Sequence, residues 1–267
     1  MKKYLFLVAA VSFLFVSCTQ YQKIIKSTDN ELKYDKAVEY FHAKKYAKAI
    51  GLFDDITPAF RGTDRSELIL NYLGQSYLGQ KDYFSASEYY KTYIKSYPRG
   101  RFIQEAKYMV GYCYYKDSPD SRLDQEATYK AIDAFQNYLD EFPDSERAKD
   151  AVKLLDELNN KLAKKYYQNA KLYYNLGTYL GNNYSSAVIT AENGLKKYPS
   201  NIYREDFLIL ILQSKYQEAL LSLDERKEER YQAVIDEYYN YYNEFPQGKF
   251  IKDANKILQE AKKAVKE

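Results

Sequence analysis

The sequence predicts an all-α fold: a solenoid of about five helix–turn–helix repeats closed by a C-terminal helix. Three observations carry this. An aromatic residue followed by proline recurs at Tyr97-Pro98, Phe142-Pro143, Tyr198-Pro199 and Phe245-Pro246, with Pro-to-Pro steps of 45, 56 and 47 residues. Each pair closes an amphipathic segment, and proline there ends one helix because it lacks the N–H and blocks continuation. The 267 residues hold only 10 Gly and 6 Pro, too few for an all-β chain with many tight turns.

The first element is an address. Lys2 and Lys3 precede an apolar run from Tyr4 to Val16 that ends at Ser17-Cys18. This almost wholly apolar run of 13 residues is too short to span a bilayer, which takes roughly 20, so residues 1–17 are expected to be a cleaved signal peptide. A small residue before a Cys at the end of such a run resembles a lipobox, with Phe15 where Leu is usual. Cys18 is therefore the expected lipid site, and two or three acyl chains, at about 0.8 kcal/mol per buried methylene, anchor a protein stably. Residues 18–30 are expected to form a tether, with Ser27-Thr28-Asp29-Asn30 starting the first helix. No acid follows Cys18 directly, which favours the periplasmic face of the outer membrane.

The repeats follow in order. The first reads Ala37-x-x-Tyr40, Tyr46-x-x-Ala49-x-x-x-Phe53. The second is the cleanest: Leu73-Gly74-x-x-Tyr77, Tyr83-x-x-Ala86-x-x-x-Tyr90, Pro98. It resembles the tetratricopeptide pattern, in which small residues at Gly74 and Ala86 let two helices cross closely and aromatics fill the groove. Gly100, by contrast, reads as a loop residue, so Gly74→Leu is expected to hurt more than Gly100→Ala. The third repeat, Gly111-x-x-Tyr114 to Pro143, holds an insertion near Asp117–Gln125. The fourth starts at Ala170-x-x-Tyr173 with extra residues around Gly177–Asn183, and the fifth carries a charged insertion, Asp224–Arg230. Lys249–Lys266 is expected to be a polar capping helix. The domain reading is residues 31–145 for repeats 1–3 and 146–267 for repeats 4–5 and the cap.

Catalysis finds little support. The one histidine, His42, has no Cys or His cluster to make a metal site. Cys113 lacks a nearby His base and reads as a buried small residue. No phosphate loop or nucleophile elbow is present. The 40 basic and 37 acidic residues are interleaved, which speaks against nucleic acid as a partner. No enzyme, cofactor or metal is expected.

The order of lipid Cys, tether, five repeats with insertions in the third and fifth, and closing helix resembles the BamD family of outer-membrane β-barrel assembly lipoproteins, in its Bacteroidetes-type version. The resemblance rests on Ser121-Arg122-Leu123-Asp124-Gln125 with Thr128-Tyr129-Lys130-Ala131-Ile132, on Leu162-Ala163-Lys164 before Ala170-x-x-Tyr173-Tyr174, on Lys26-Ser27-Thr28-Asp29 with Lys33-Tyr34, and on Tyr108-Met109-x-Gly111 after Tyr97-Pro98. It implies a protein-binding scaffold in the outer membrane that engages a BamA-like barrel assembly protein and unfolded outer-membrane proteins. A second class remains open: a repeat lipoprotein that recruits peptidoglycan hydrolases. Surplus tyrosines Tyr72, Tyr89, Tyr108 and Tyr112 are the candidates for holding an extended polypeptide on the concave side of repeats 1–3. Arg204 and Glu205 are the candidates for docking the barrel component. Arg204 opposes the dipole at a helix start and so either pairs locally with Asp206, faces water, or serves an interface.

Overall fold

A computed structural model of the chain describes residues 20–265. The expected signal peptide, 1–17, and Cys18, the expected lipid site, lie outside the described residues. The chain divides into two compact units. The first takes the chain up to Ser118 together with Glu126–Val152; the second takes Pro119–Gln125 and the chain from Lys153 onward. The division falls inside a helix, a few residues past the boundary expected at 145/146.

The first unit is built from helical hairpins: α1 (Asn30–His42) with α2 (Tyr46–Ile56), α3 (Asp64–Gly79) with α4 (Tyr83–Ser96), and α5 (Ile103–Asp117) with α6 (Glu126–Glu141). Asp29 caps α1, its carboxylate accepting from Leu32 N–H at 3.0 Å. Asp82 does the same for α4 through Ser85 N–H at 3.0 Å. The expected aromatic-Pro stops fall at the helix ends, with Tyr97 as the C-cap of α4. Small residues mark the crossings: a Cβ on Gly74 would lie 2.9 Å from the Tyr90 ring, and one on Gly111 would lie 2.8 Å from Phe135. Ala37, Ala49, Phe53, Ala86, Tyr90 and Phe135 are all buried.

The second unit holds the remainder of α7 (Ala148–Leu176), then α8 (Asn183–Lys197), α9 (Arg204–Leu220), α10 (Asp224–Glu244) and α11 (Ile251–Ala264). Its core is Leu208, Leu212, Val234, Tyr241, Ala254 and their neighbours. The fold is an all-α tetratricopeptide-repeat fold, and no described helix is long and apolar enough to cross a membrane.

One expectation is corrected and two are refined. Residues 20–25 are helical, not a free tether: Ile24 is buried and Tyr21 meets Tyr40 edge-on at 5.8 Å. The charged insertion Asp224–Arg230 forms the first two turns of α10, because acids at Asp224 and Glu225 suit a helix N-terminus. Gly100 lies in the loop after α4 as expected, but a Cβ there would still lie 2.7 Å from Glu67 and 2.9 Å from Tyr97. Both Gly74 and Gly100 are closed to a larger side chain.

Candidate functional site

The four tyrosines proposed for peptide binding sit on α3, α4 and α5 of the first unit. Tyr72 is half-buried, stacked on Phe53 at 5.3 Å and edge-on to Phe41 at 4.8 Å. Tyr89 is half-buried against Tyr77 at 5.1 Å, and its hydroxyl donates to Asp54 Oδ1 at 2.8 Å. Burial raises the Asp54 carboxyl above its ordinary range, and the Tyr89 hydrogen bond only partly offsets this. Tyr108 must be removed from the set. It is 3% exposed, packed on Phe135 and Tyr138, and covered by the Arg147 guanidinium at 4.8 Å. Its ring is core because Arg147, held by Glu105 at 3.1 Å, closes over it. Tyr112 stacks on Tyr108, stays half-buried, and carries Lys116 at 5.2 Å from its ring. Tyr72, Tyr89 and Tyr112 thus offer ring edges backed by firm packing.

Arg204 opens α9 in the second unit, but the expected local partner, Asp206, does not hold it. Its Nε and Nη2 donate to the two Glu244 oxygens at 2.6 and 2.8 Å, from the end of α10, 40 residues away. The planar fork fits the carboxylate with two parallel bonds. Asp206 instead pairs with Lys249 at 2.8 Å. Glu205 accepts from the Tyr241 hydroxyl at 2.8 Å and from Phe250 N–H at 3.3 Å. Both residues are occupied in joining α9 to α10 and to the turn before α11.

The same device recurs in the first unit, and the sequence reading missed it. Glu67 on α3 accepts from the Tyr93 hydroxyl and from Arg101 N–H (2.8 Å), while the Tyr93 oxygen accepts from Phe102 N–H at 2.9 Å. The signal was present as two matching strings, Tyr93…Tyr97-Pro98-x-Gly100-x-Phe102-Ile103 and Tyr241…Phe245-Pro246-x-Gly248-x-Phe250-Ile251. In each, the glycine lets the turn pass against the tyrosine hydroxyl.

Sequence reasoning also missed a half-open cavity of ≈ 300 Å³ in the second unit, lined by Tyr174, Gln213, Tyr216, Asp253, Lys256 and Glu260. Its lining combines tyrosine faces with amide and charged groups, suited to a polar extended chain. The catalytic prospects are placed plainly. His42 is exposed, and Cys113 is fully buried, its thiol pushed up to about 12 by burial. Among the described residues no group of three or more His, Cys, Asp or Glu could hold a metal ion.

Comparison with known proteins adds to this geometry. The family YfiO, described as outer membrane lipoprotein, matches residues 26–232. The outer membrane protein assembly factor BamD of Rickettsia prowazekii is 26% identical over 214 residues, 79% of each chain. BamD of Caulobacter vibrioides is 28% identical over 138 residues, 51% of this chain. The chain spans less than half of that relative, 44%. A solved structure titled "TPR2AB-domain:pHSP90-complex of yeast Sti1" superposes on 87% of this chain and 98% of its own, at 13% identity and a TM-score of 0.42. With the matched segment running through both compact units, this chain belongs to the YfiO family of outer membrane lipoproteins.

Proposed function

We propose that this chain is a non-catalytic scaffold in outer-membrane protein assembly, held by lipid at Cys18 on the periplasmic face. The observation that supports it most is the family match over residues 26–232, together with two relatives that are assembly factors by name. Helical repeats suit such work, since stacked hairpins present extended surfaces for other chains. We assign unfolded outer-membrane proteins to Tyr72, Tyr89 and Tyr112. Their rings give large contact area with little entropy loss, and the Tyr72 and Tyr112 hydroxyls can pair with unsatisfied strand backbone. We assign a BamA-like barrel component to the second unit, around the exposed edge of the Arg204–Glu244 pair and the charged first turns of α10.

The test is co-purification of the full chain from detergent-solubilised outer membranes. The barrel-forming component is expected in the eluate. Recovery of a peptidoglycan hydrolase in its place would overturn the reading in favour of the hydrolase-recruiting class. Labelled palmitate should enter the wild type and not Cys18→Ser; equal labelling of both would remove the anchor.

A further inference from the structure

The second unit carries an apolar knob that folding does not explain. It is made by two turns: α7 to α8, reading Gly177-Thr178-Tyr179-Leu180-Gly181, and α9 to α10, reading Leu220-Leu221-Ser222-Leu223. Neither stretch contains a charge. Tyr179 is 68% exposed, Leu180 90%, Leu221 60% and Leu223 79%. The two turns are neighbours: Asn182 donates to Glu218, and Gly181, Tyr184 and Leu221 line one shared cleft. The knob is also firmly built. Asn183 N–H donates to Gly177 O at 2.9 Å, and its side-chain amide to Tyr179 O at 2.7 Å.

Leu180 breaks two rules at once. Among the described residues it is the most exposed of the large hydrophobic side chains, and its φ of +54° lies in the left-handed region that favours Gly or Asn. A residue wrong for both its backbone and its solvent points to a use outside the fold.

We infer that this knob dips into the lipid surface, so that the second unit makes its own contact with the membrane. The chain belongs to a family of outer membrane lipoproteins, so on the proposed attachment a lipid surface is its neighbour. The shape favours lipid over a protein partner. Leu180 stands out as a peg with almost no support from its own fold, whereas interface anchors sit within packed, polar-rimmed patches. Leucine at the tip with tyrosine beside it matches the chemistry of the bilayer interface, where aromatic rings settle at headgroup level and aliphatic chains go deeper. The inference rests on the proposed membrane attachment but adds a second point of contact to it.

The chain has no tryptophan, so one introduced residue is a clean reporter. The full chain carrying Tyr179→Trp, purified from membranes, is reconstituted into phosphatidylcholine vesicles with a rising fraction of acyl-brominated lipid. The emission should shift to the blue and lose intensity as bromolipid increases. Tyr239→Trp, exposed on α10 away from the turns, should do neither. Adding Leu180→Asp and Leu223→Asp to the Tyr179→Trp chain should abolish the quenching with the helical circular dichroism unchanged. If that triple variant does not fold, the quenching of Tyr179→Trp against Tyr239→Trp still decides. An unquenched Tyr179→Trp on vesicles that retain the protein overturns the inference. So does a blue shift that appears only with the purified barrel component or at high protein density, which would make the knob a protein contact. Failure of the wild type to stay on vesicles at all would strike the lipid anchor instead.

Discussion

At the residue scale, identical side chains on one helix do opposite work. Tyr93 donates to Glu67 and accepts from Phe102 N–H, whereas the buried Tyr90 hydroxyl has no hydrogen-bond partner. Removing a hydroxyl that satisfies buried groups costs about 1–3 kcal/mol, while removing an unsatisfied one costs little or helps. Urea melts should therefore show Tyr93→Phe destabilised by that amount and Tyr90→Phe at or above wild type. Equal losses in the two variants would contradict the lock. Arg204 is likewise decided by its partner. The pair with Glu244 is partly exposed on both sides, so it contributes only about 0–1 kcal/mol. The Arg204 hydrogen bond holds the Glu244 carboxyl below its ordinary range. A depressed folded-state pKa means stability present above the ordinary glutamate value, about 4.3, and lost as pH falls below it. The gap in stability between wild type and Arg204→Gln should thus be visible at neutral pH and low salt, and should close in acid. A gap that persists in acid would show that the cost comes from lost packing alone. Arg204→Glu also places a like charge against Glu244, so a lowered melting temperature is expected along with any loss of partner binding.

At the element scale, the turns between paired helices share a strained position. Lys44 (φ +56°) and Lys81 (φ +63°) occupy the left-handed region between α1 and α2 and between α3 and α4. A non-glycine residue there costs about 1–2 kcal/mol, part of which Gly returns by its own greater freedom when unfolded. Lys81→Gly should therefore raise the stability slightly, by about 0.5–1 kcal/mol; a lower melting midpoint would mean that the Lys81 side chain stabilises the turn. Element ends were legible in the sequence. Asp29 caps α1 as its place ahead of the amphipathic run suggests, and Tyr97, Tyr198 and Phe245 each stand as the C-cap ahead of a proline. The helix of residues 20–25 was not legible, because a short polar stretch becomes helical only by packing Tyr21 and Ile24 on the first repeat. Nor was the helical state of Asp224–Arg230, where charge suggests solvent but does not distinguish a loop from an exposed helix face.

At the scale of the whole molecule, tyrosine replaces much of the aliphatic core, and this has a consequence in alkali. Tyr89, Tyr90, Tyr93 and Tyr241 all have phenols raised above the ordinary value, burial being the largest cause in each. A raised folded-state pKa means stability fully present below the unfolded phenol value, about 10, and lost as pH climbs above it. Denaturant melts should be flat from neutrality to about pH 9.5 and fall steeply above pH 10, with the exposed phenols ionising first and the last part of the phenolate absorbance rising only together with loss of helix. Full phenolate absorbance reached well before helix loss would show that these four rings are open to water.

What the sequence determined by itself is the part of this protein written in local pattern. Helix-terminating prolines, small residues at helix crossings and capping side chains act within a few residues of one another, so the all-α repeat fold and its register could be read directly. What only the tertiary structure decided is who meets whom across about 25–45 residues. Glu244 reaches Arg204, Glu67 reaches Tyr93, Arg147 closes over Tyr108, and Gly181 comes to line one cleft with Leu221. The physical reason is that one amphipathic pattern assigns a side chain to a face but not to a neighbour. Whether a tyrosine on that face becomes core or surface depends on what the next helix brings against it.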